Sequence, residues 1–325
     1  MHRILETTYM SHCNCSNAKQ QRRSGLTLLE MVVVLGILAI IAGTAVQSLD
    51  PIANQSRYES TQNTLNSIRS STVGDPRTIN GNGQRFISGF ITDTGALPGS
   101  LNALLQKPNA LVAYGTTTFD SDRDLINDVT IARGWNGPYL QLGAGRSSIL
   151  DGWGHDLTLQ NNSGLLTIAS LGSDNDSVAP EAGYQADISV NIPVNAYSGE
   201  LVFHLYGISL ATGTRIDPTL TNLLDGIASP PPGTKLLGIQ FYGKNAAGGT
   251  TGEIQEVMCP VALTGSFEFR ISNATHGKAA ARAVFWEDAN NDQLLTAGET
   301  VLRKSCVQVF DVLPGMENRF DMELR

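Results

Sequence analysis

Catalytic signatures, basic surface and cysteine are all scarce in this chain. Its 325 residues include five histidines and contain no H-E-x-x-H, no G-x-S-x-G and no complete phosphate-cradling G-x-x-x-x-G-K-[ST], since the spacing at Gly238 to Lys244 is followed by Asn245, which argues against the common zinc-hydrolase, serine-hydrolase and nucleotide-binding classes. The expectation is a protein that is not an enzyme. Lysine and arginine number 22 against 30 acids, for a net charge of −8. No nucleic-acid partner is expected of so acidic a chain, because such grooves need a clustered basic face, though a single local patch would not register in the sum. Charged residues make up 16% of the chain and hydrophobic ones 41%. That is too apolar for disorder, and the length exceeds one minimal domain. Two folded units plus a membrane segment fit the balance.

Cysteine occurs at four positions, Cys13 and Cys15 near the start and Cys259 and Cys306 far downstream. If the leading segment is removed, Cys259 and Cys306 remain as one candidate pair. In an oxidising compartment such a pair reads as a disulfide; the alternative is two buried thiols.

The charge is unevenly placed. Residues up to Gly25 carry Arg3, Lys19, Arg22 and Arg23 against Glu6, a net of +3, which leaves −11 for the remainder. Directly after Gly25 comes the run LTLLEMVVVLGILAIIAGTAV, from Leu26 to Val46, with Glu30 as its one charge. At helical rise this is long enough to cross the hydrocarbon core. A secretory signal peptide fits badly, because its apolar region is shorter and its cleavage site follows that region. Here Ser24-Gly25 precede it. The cations on the leader side orient the span with the N-terminus cytoplasmic and the body exported. A carboxylate inside such a helix costs about 2.5 to 3.5 kcal/mol near the bilayer centre, less toward an end, and calls for a partner.

The stretch Ser24-Gly25-Leu26-Thr27-Leu28-Leu29-Glu30 resembles the processing motif of type IV pilins and pseudopilins. The resemblance implies that prepilin peptidase cuts between Gly25 and Leu26 and methylates the new N-terminus at Leu26, and that Glu30, fifth in the mature chain, pairs with the N-terminal amine of a neighbouring subunit. It further implies a single-pass protein of the bacterial inner membrane with a periplasmic body, whose partners are other pilin or pseudopilin subunits and the inner-membrane assembly platform. The family usually begins its mature chain with Phe, so Leu26 is a mild departure.

The expected fold class is α+β: a cleaved leader (1–25), a long helix (26–72, spanning the membrane over 26–46), a small antiparallel-sheet head (73–188) and a C-terminal β-sandwich-like domain (189–325). Pro51 is expected to kink or interrupt the helix, and Val73-Gly74-Asp75-Pro76 to end it. The blocks Gly137-Pro138-Tyr139, Asp151-Gly152-Trp153-Gly154, Ser170-Leu171-Gly172-Ser173-Asp174 and Ala186-Asp187-Ile188 are similar in order and spacing to the head of the major pseudopilin of type II secretion. Past Ile188 that pattern ends. Alternating segments follow, namely Leu201, Phe203 and Leu205; Leu237, Ile239 and Phe241; Phe267, Phe269 and Ile271; Ala281, Ala283 and Phe285; and Phe320, Met322 and Leu324. Each reads as a strand with one apolar and one polar face.

Two acidic segments are candidate calcium sites with a structural role. The first, Ser170 to Asp187, holds Asp174, Asp176, Glu181 and Asp187 and reads either as a solvated acidic turn or as a cation site that relieves carboxylate repulsion. The pseudopilin resemblance implies calcium held by the Leu171 carbonyl, Asp174 and Asp187, with Gln185 where the family often has an acid and Asp176 available in its place. The second is sharper in spacing. Asp288, Asn290, Asp292, Leu294 by its carbonyl, Thr296 and Glu299 occupy positions one, three, five, seven, nine and twelve of an EF-hand-type loop, with Leu295 as the usual aliphatic at eight. Gln293 departs from the glycine wanted at position six, and the flanks read as strands. A plain acidic hairpin loop is the alternative.

His155 beside Trp153 and Asp156 reads more simply as a hydrogen-bonded turn than as an acid/base site, His204 as an outer-face strand residue, and Trp135, Trp153 and Trp286 as packing residues. Two functions compete. One is a structural pseudopilin of a type II secretion or related periplasmic filament; the other is a minor type IV pilin whose added β-domain is an adhesin or recognition module.

Overall fold

The computed structural model describes residues 27–47, 49–75, 78, 88–119, 129–143, 145–178, 182–229, 232–243, 255–261, 268–296 and 298–325. The leader, Gly25, Leu26, Glu181 and Phe267 lie outside them. The chain divides into two compact units, Met1–Ala53 and Asn54–Arg325.

The first unit holds α1 (Leu28–Gln47). Thr27 starts it: its hydroxyl accepts the backbone N–H of Glu30 at 3.2 Å and its carbonyl that of Met31 at 3.1 Å, the N-cap role expected of threonine. Side chains are described from Leu28 to Ile41 and at Gly43, and all are exposed. Among the described residues no helix is long and apolar enough to cross a membrane. Helix resumes with α2 (Leu49–Val73), and Ser48 between the two lies outside the described residues. Pro51 lies within the helical residues of α2.

From Asn54 onward α2 belongs to the second unit. It is polar around most of its surface and buries Thr61, Leu65, Ile68 and Thr72, spaced as one helical stripe. Leu65 and Ile68 pack with Phe90, Ile91, Leu104, Leu166, Ile168 and Tyr197 in the head core; a fully buried side chain of this size contributes about 1.5 to 3 kcal/mol. The helix ends at Val73, as its stop signals imply.

The head continues with a short α3 (Phe90–Thr94), a hairpin of β1 (Gly115–Phe119) and β2 (Val129–Arg133), and an antiparallel sheet in the order β3 (Thr158–Asn162), β4 (Leu165–Ser170), β5 (Ile188–Ile192). Because β5 pairs with β4, the head extends past the expected boundary at residue 188. Tyr197 is still part of its core.

Two further sheets follow. One has the order β10 (Glu268–Thr275), β6 (Ser198–Ile208), β14 (Glu317–Leu324), with β14 parallel to β6 and the two-residue β7 (Arg215–Ile216) also on β6. The other runs β12 (Val301–Lys304), β11 (Gly277–Asp288), β8 (Thr234–Gly243), β9 (Gln255–Val261), with β13 (Gln308–Val312) also on β11. Leu201, Phe203 and Leu205 from the first sheet meet Leu237, Ile239, Phe241, Ala281, Ala283 and Phe285 from the second in one core, with Met322 and Leu324. These are the alternating residues that the sequence marks, and the layering is that of a sandwich. The polar outer faces are not all wet, however. Every residue of β11 except Lys278 is buried: Val129 and Ile131 of β2 pack on Ala280 and on Tyr242 of β8, and Leu295 packs on Val284 and Trp286. A short α4 (Leu220–Leu224) is tied in by Arg303, whose guanidinium donates to the carbonyls of Leu223, Ile208 and Asp225 at 2.6 to 2.7 Å. Two of these bonds close the C-terminal end of α4 and the third ties it to the end of β6.

Candidate functional site

At the start of α1, Glu30 is exposed, one turn in from Thr27. The apolar side chains around it leave Leu28 83% and Ile40 69% exposed. An unshielded apolar helix of this kind needs a bilayer or neighbouring helices to cover it.

In the head, the Asp151–Asp156 turn is a docking element. The buried Asp151 carboxylate accepts the backbone N–H of Trp153 at 2.9 Å and of His155 at 2.8 Å, and the hydroxyl of Ser170 at 2.7 Å. Gly152 donates its N–H to Thr61 Oγ1 on α2 at 2.9 Å. The His155 ring reaches the Gly172 carbonyl at 3.1 Å. All of these groups make structural bonds, which matches the turn reading of His155. His204 lies half-buried on the outer face of β6, 3.7 Å from Glu268. Trp286 is fully buried, and Trp135 donates to the Ala103 carbonyl at 3.0 Å against the head core.

The second acidic segment forms the connection from β11 to β12. Carboxylate oxygens of Asp288, Asp292 and Glu299 lie within 4.8 Å of one another. Asp288, only 2% exposed, accepts the N–H of Asp292 and of Gln293, each at 3.1 Å. The Leu294 N–H bonds Asp292 Oδ1 at 2.8 Å, and Glu299 reaches back to the N–H groups of Ala289 and Thr296. The Asn290 amide donates to Asp292 at 2.9 Å and to Thr296 Oγ1 at 3.3 Å. Gln293 takes the left-handed conformation, φ 62°, so the sharp turn forms without the usual glycine at a cost in backbone strain. Leu295 is buried against Val284 and Trp286 and anchors the loop. The spacing seen in the sequence thus converges in space. Three carboxylates with an amide and a hydroxyl form an oxygen-rich set suited to a hard divalent cation.

The first acidic segment does not converge in this way. Asp174, Asp176 and Asp187 are exposed, Asp174 and Asp176 cap the N–H groups of Asp176 and Val178 in local turns, and among the described residues the carboxylate group within 4.8 Å is that of Asp288, Asp292 and Glu299. Leu171 lies half-buried at the end of β4.

The pairing of Cys259 with Cys306 is corrected. Cys306 is exposed and its thiol is free. Cys259 lies on β9 opposite Ile239 of β8, which lies opposite Ala283 of β11, while Cys306 follows β12 on the far side of β11. Three strand spacings, about 14 Å, separate the two positions, against a limit of about 7 Å between bridged Cα atoms.

A cluster with no local sequence signal lies between α3, β2 and β11: Asp93, Arg133 and His276, all buried. They stand 40 to 183 positions apart, and only the packing of the hairpin on the second sheet brings them together. Burial raises Asp93 to about 6, against hydrogen bonds from Tyr139 and Ser88 and the charge of Arg133. Burial lowers Arg133 to about 10 despite Asp93, and lowers His276 to about 4, with Arg133 adding to the effect.

Residues 20–46 match the family described as the prokaryotic N-terminal methylation motif. The match is to that N-terminal segment and supports a type IV pilin-like protein that is a prepilin-peptidase substrate. No curated protein matches the chain.

Proposed function

We propose that this chain is a structural pseudopilin of a type II secretion or related periplasmic filament, processed between Gly25 and Leu26, N-methylated at Leu26 and anchored in the bacterial inner membrane with its body in the periplasm. The carrying observation is the methylation motif placed directly before α1, whose described apolar side chains are all exposed and which holds Glu30 one turn from its start. Before cleavage the nitrogen of Leu26 is a peptide amide; cleavage turns it into a free amine. Glu30 then meets the amine of a neighbouring subunit, and cleavage acts as the assembly switch. The work is mechanical, with no catalytic step. The loop of Asp288, Asn290, Asp292, Leu294, Thr296 and Glu299 takes a structural calcium ion in this reading, supported by its convergent carboxylates.

The test is Gly25→Ala, which is expected to leave the leader attached, read as an unchanged precursor mass where wild type loses its first 25 residues. Equal processing of the two sinks the reading. Glu30→Gln is expected to be processed normally and to fail in assembly.

A second reading is a minor type IV pilin presenting an adhesin, favoured by the size of the β-domain and its independent core. Antibody against the β-domain should label intact cells for an adhesin and fail to label them for a periplasmic pseudopilin.

A further inference from the structure

The corner between β10 and β11 is held to the end of α2 by a chain of hydrogen bonds whose direction can be assigned. The Thr92 hydroxyl donates to the Val73 carbonyl at 3.0 Å. Having one proton, it must accept in its 2.7 Å contact with His276 Nε2. His276 is therefore the neutral tautomer carrying its proton on Nε2, and Nδ1 presents a lone pair. That atom is buried and, among the described residues, has no hydrogen-bond partner, and the same is true of Nε and Nη2 of Arg133, whose charge acts on the imidazole. Gly277, next in the chain, approaches the Thr92 backbone so closely that a Cβ would lie 3.2 Å from its carbonyl carbon, so the corner has no room to shift.

We propose that His276 is a proton-operated lock between the β-domain and the end of α2, closed while Nδ1 is unprotonated and opened when acid protonates it. A lone pair facing a guanidinium is favourable. A second N–H cation in the same place is not, because neither it nor Arg133 has a bonded anion to take its charge. The groups facing the imidazole are Thr92 from α3 and Arg133 from β2, with the carboxylate of Asp93 beyond Arg133 and Tyr139 on Asp93. The backbone N–H of His276 is held by the Tyr197 carbonyl at 2.9 Å. The lowering of His276 from 6.5 to about 4 agrees in sign. The lock stability is fully present above about 6.5 and is lost as pH falls through about 4. This inference does not depend on the secretion reading.

The experiment compares the full chain in detergent micelles with its His276→Gln variant. Glutamine keeps a donor for Thr92 and an acceptor toward Arg133 and cannot titrate. Acidification from pH 7 to 4 is expected to raise the unfolding constant of wild type by about 100-fold relative to the variant, with faster amide exchange in β2 and the β10–β11 corner. Parallel pH profiles overturn the proposal. A direct readout on wild type is the His276 ring resonance, expected to titrate near pH 4; a midpoint near 6.5 overturns the proposal, and this measurement decides the matter if His276→Gln does not fold.

Discussion

Gly152 and Arg57 approach so closely that a Cβ on the glycine would lie 2.7 Å from the carbonyl carbon of the arginine. The turn at 151–156 thus docks on α2 backbone to backbone, with Gly152 N–H on Thr61 and Asp151 holding the turn from within. Gly152→Ala should push the turn off the helix. A loss of about 1 to 3 kcal/mol is expected, by analogy with overpacking, read as a lower denaturant midpoint with unchanged slope. A variant as stable as wild type would mean that this docking is dispensable.

Asp93 opposes His276. Its folded value is raised from 3.8 to about 6 by burial, so it contributes stability that is fully present below about 3.8 and is lost as pH rises through about 6. Asp93→Asn removes that relief. On acidification from pH 7 to 4 the variant should lose more thermal stability than wild type, whereas His276→Gln should lose less. Finding the same sign of change in both variants would break the assignment.

The loop at Asp288 should be metal-sensitive. Calcium at about 100 times its dissociation constant is expected to stabilise the fold by about 2.7 kcal/mol, and a chelator should lower the thermal midpoint. Asp288→Asn should abolish the difference between calcium and chelator. If wild type has one midpoint in both conditions, the loop is a plain acidic connection.

Cys306 should react at once with a thiol reagent in the native protein, since it is exposed and free. Non-reducing electrophoresis is expected to show no mobility shift from an internal bridge. A native protein whose Cys306 resists labelling until reductant is added would restore the disulfide.

How much was legible depended on how local each feature is. The N-terminal motif is contiguous, so leader, cleavage site and Glu30 are readable residue by residue. The spacing of Asp288, Asn290, Asp292 and Glu299 is equally local, and a coiling backbone turns it into a cluster. The resemblance to the pseudopilin head ends at Ile188, where β5 begins. Pairing with β4, a non-local fact, assigns it to the head. For Cys259 and Cys306 the count of cysteines was informative about chemistry and silent about distance.

By itself, then, the sequence determined the processing motif, the apolar helix, the alternating strands and the acidic loop, because periodicity and short-range spacing carry all four. Only the tertiary structure decided that the β1–β2 hairpin covers one part of the second sheet's outer face and Leu295 another, so that both faces of β11 are buried. Only it placed His276 on Thr92 and next to Arg133. A strand pattern states which residues avoid water on one face, whereas burial of the other face depends on which distant segment arrives to cover it.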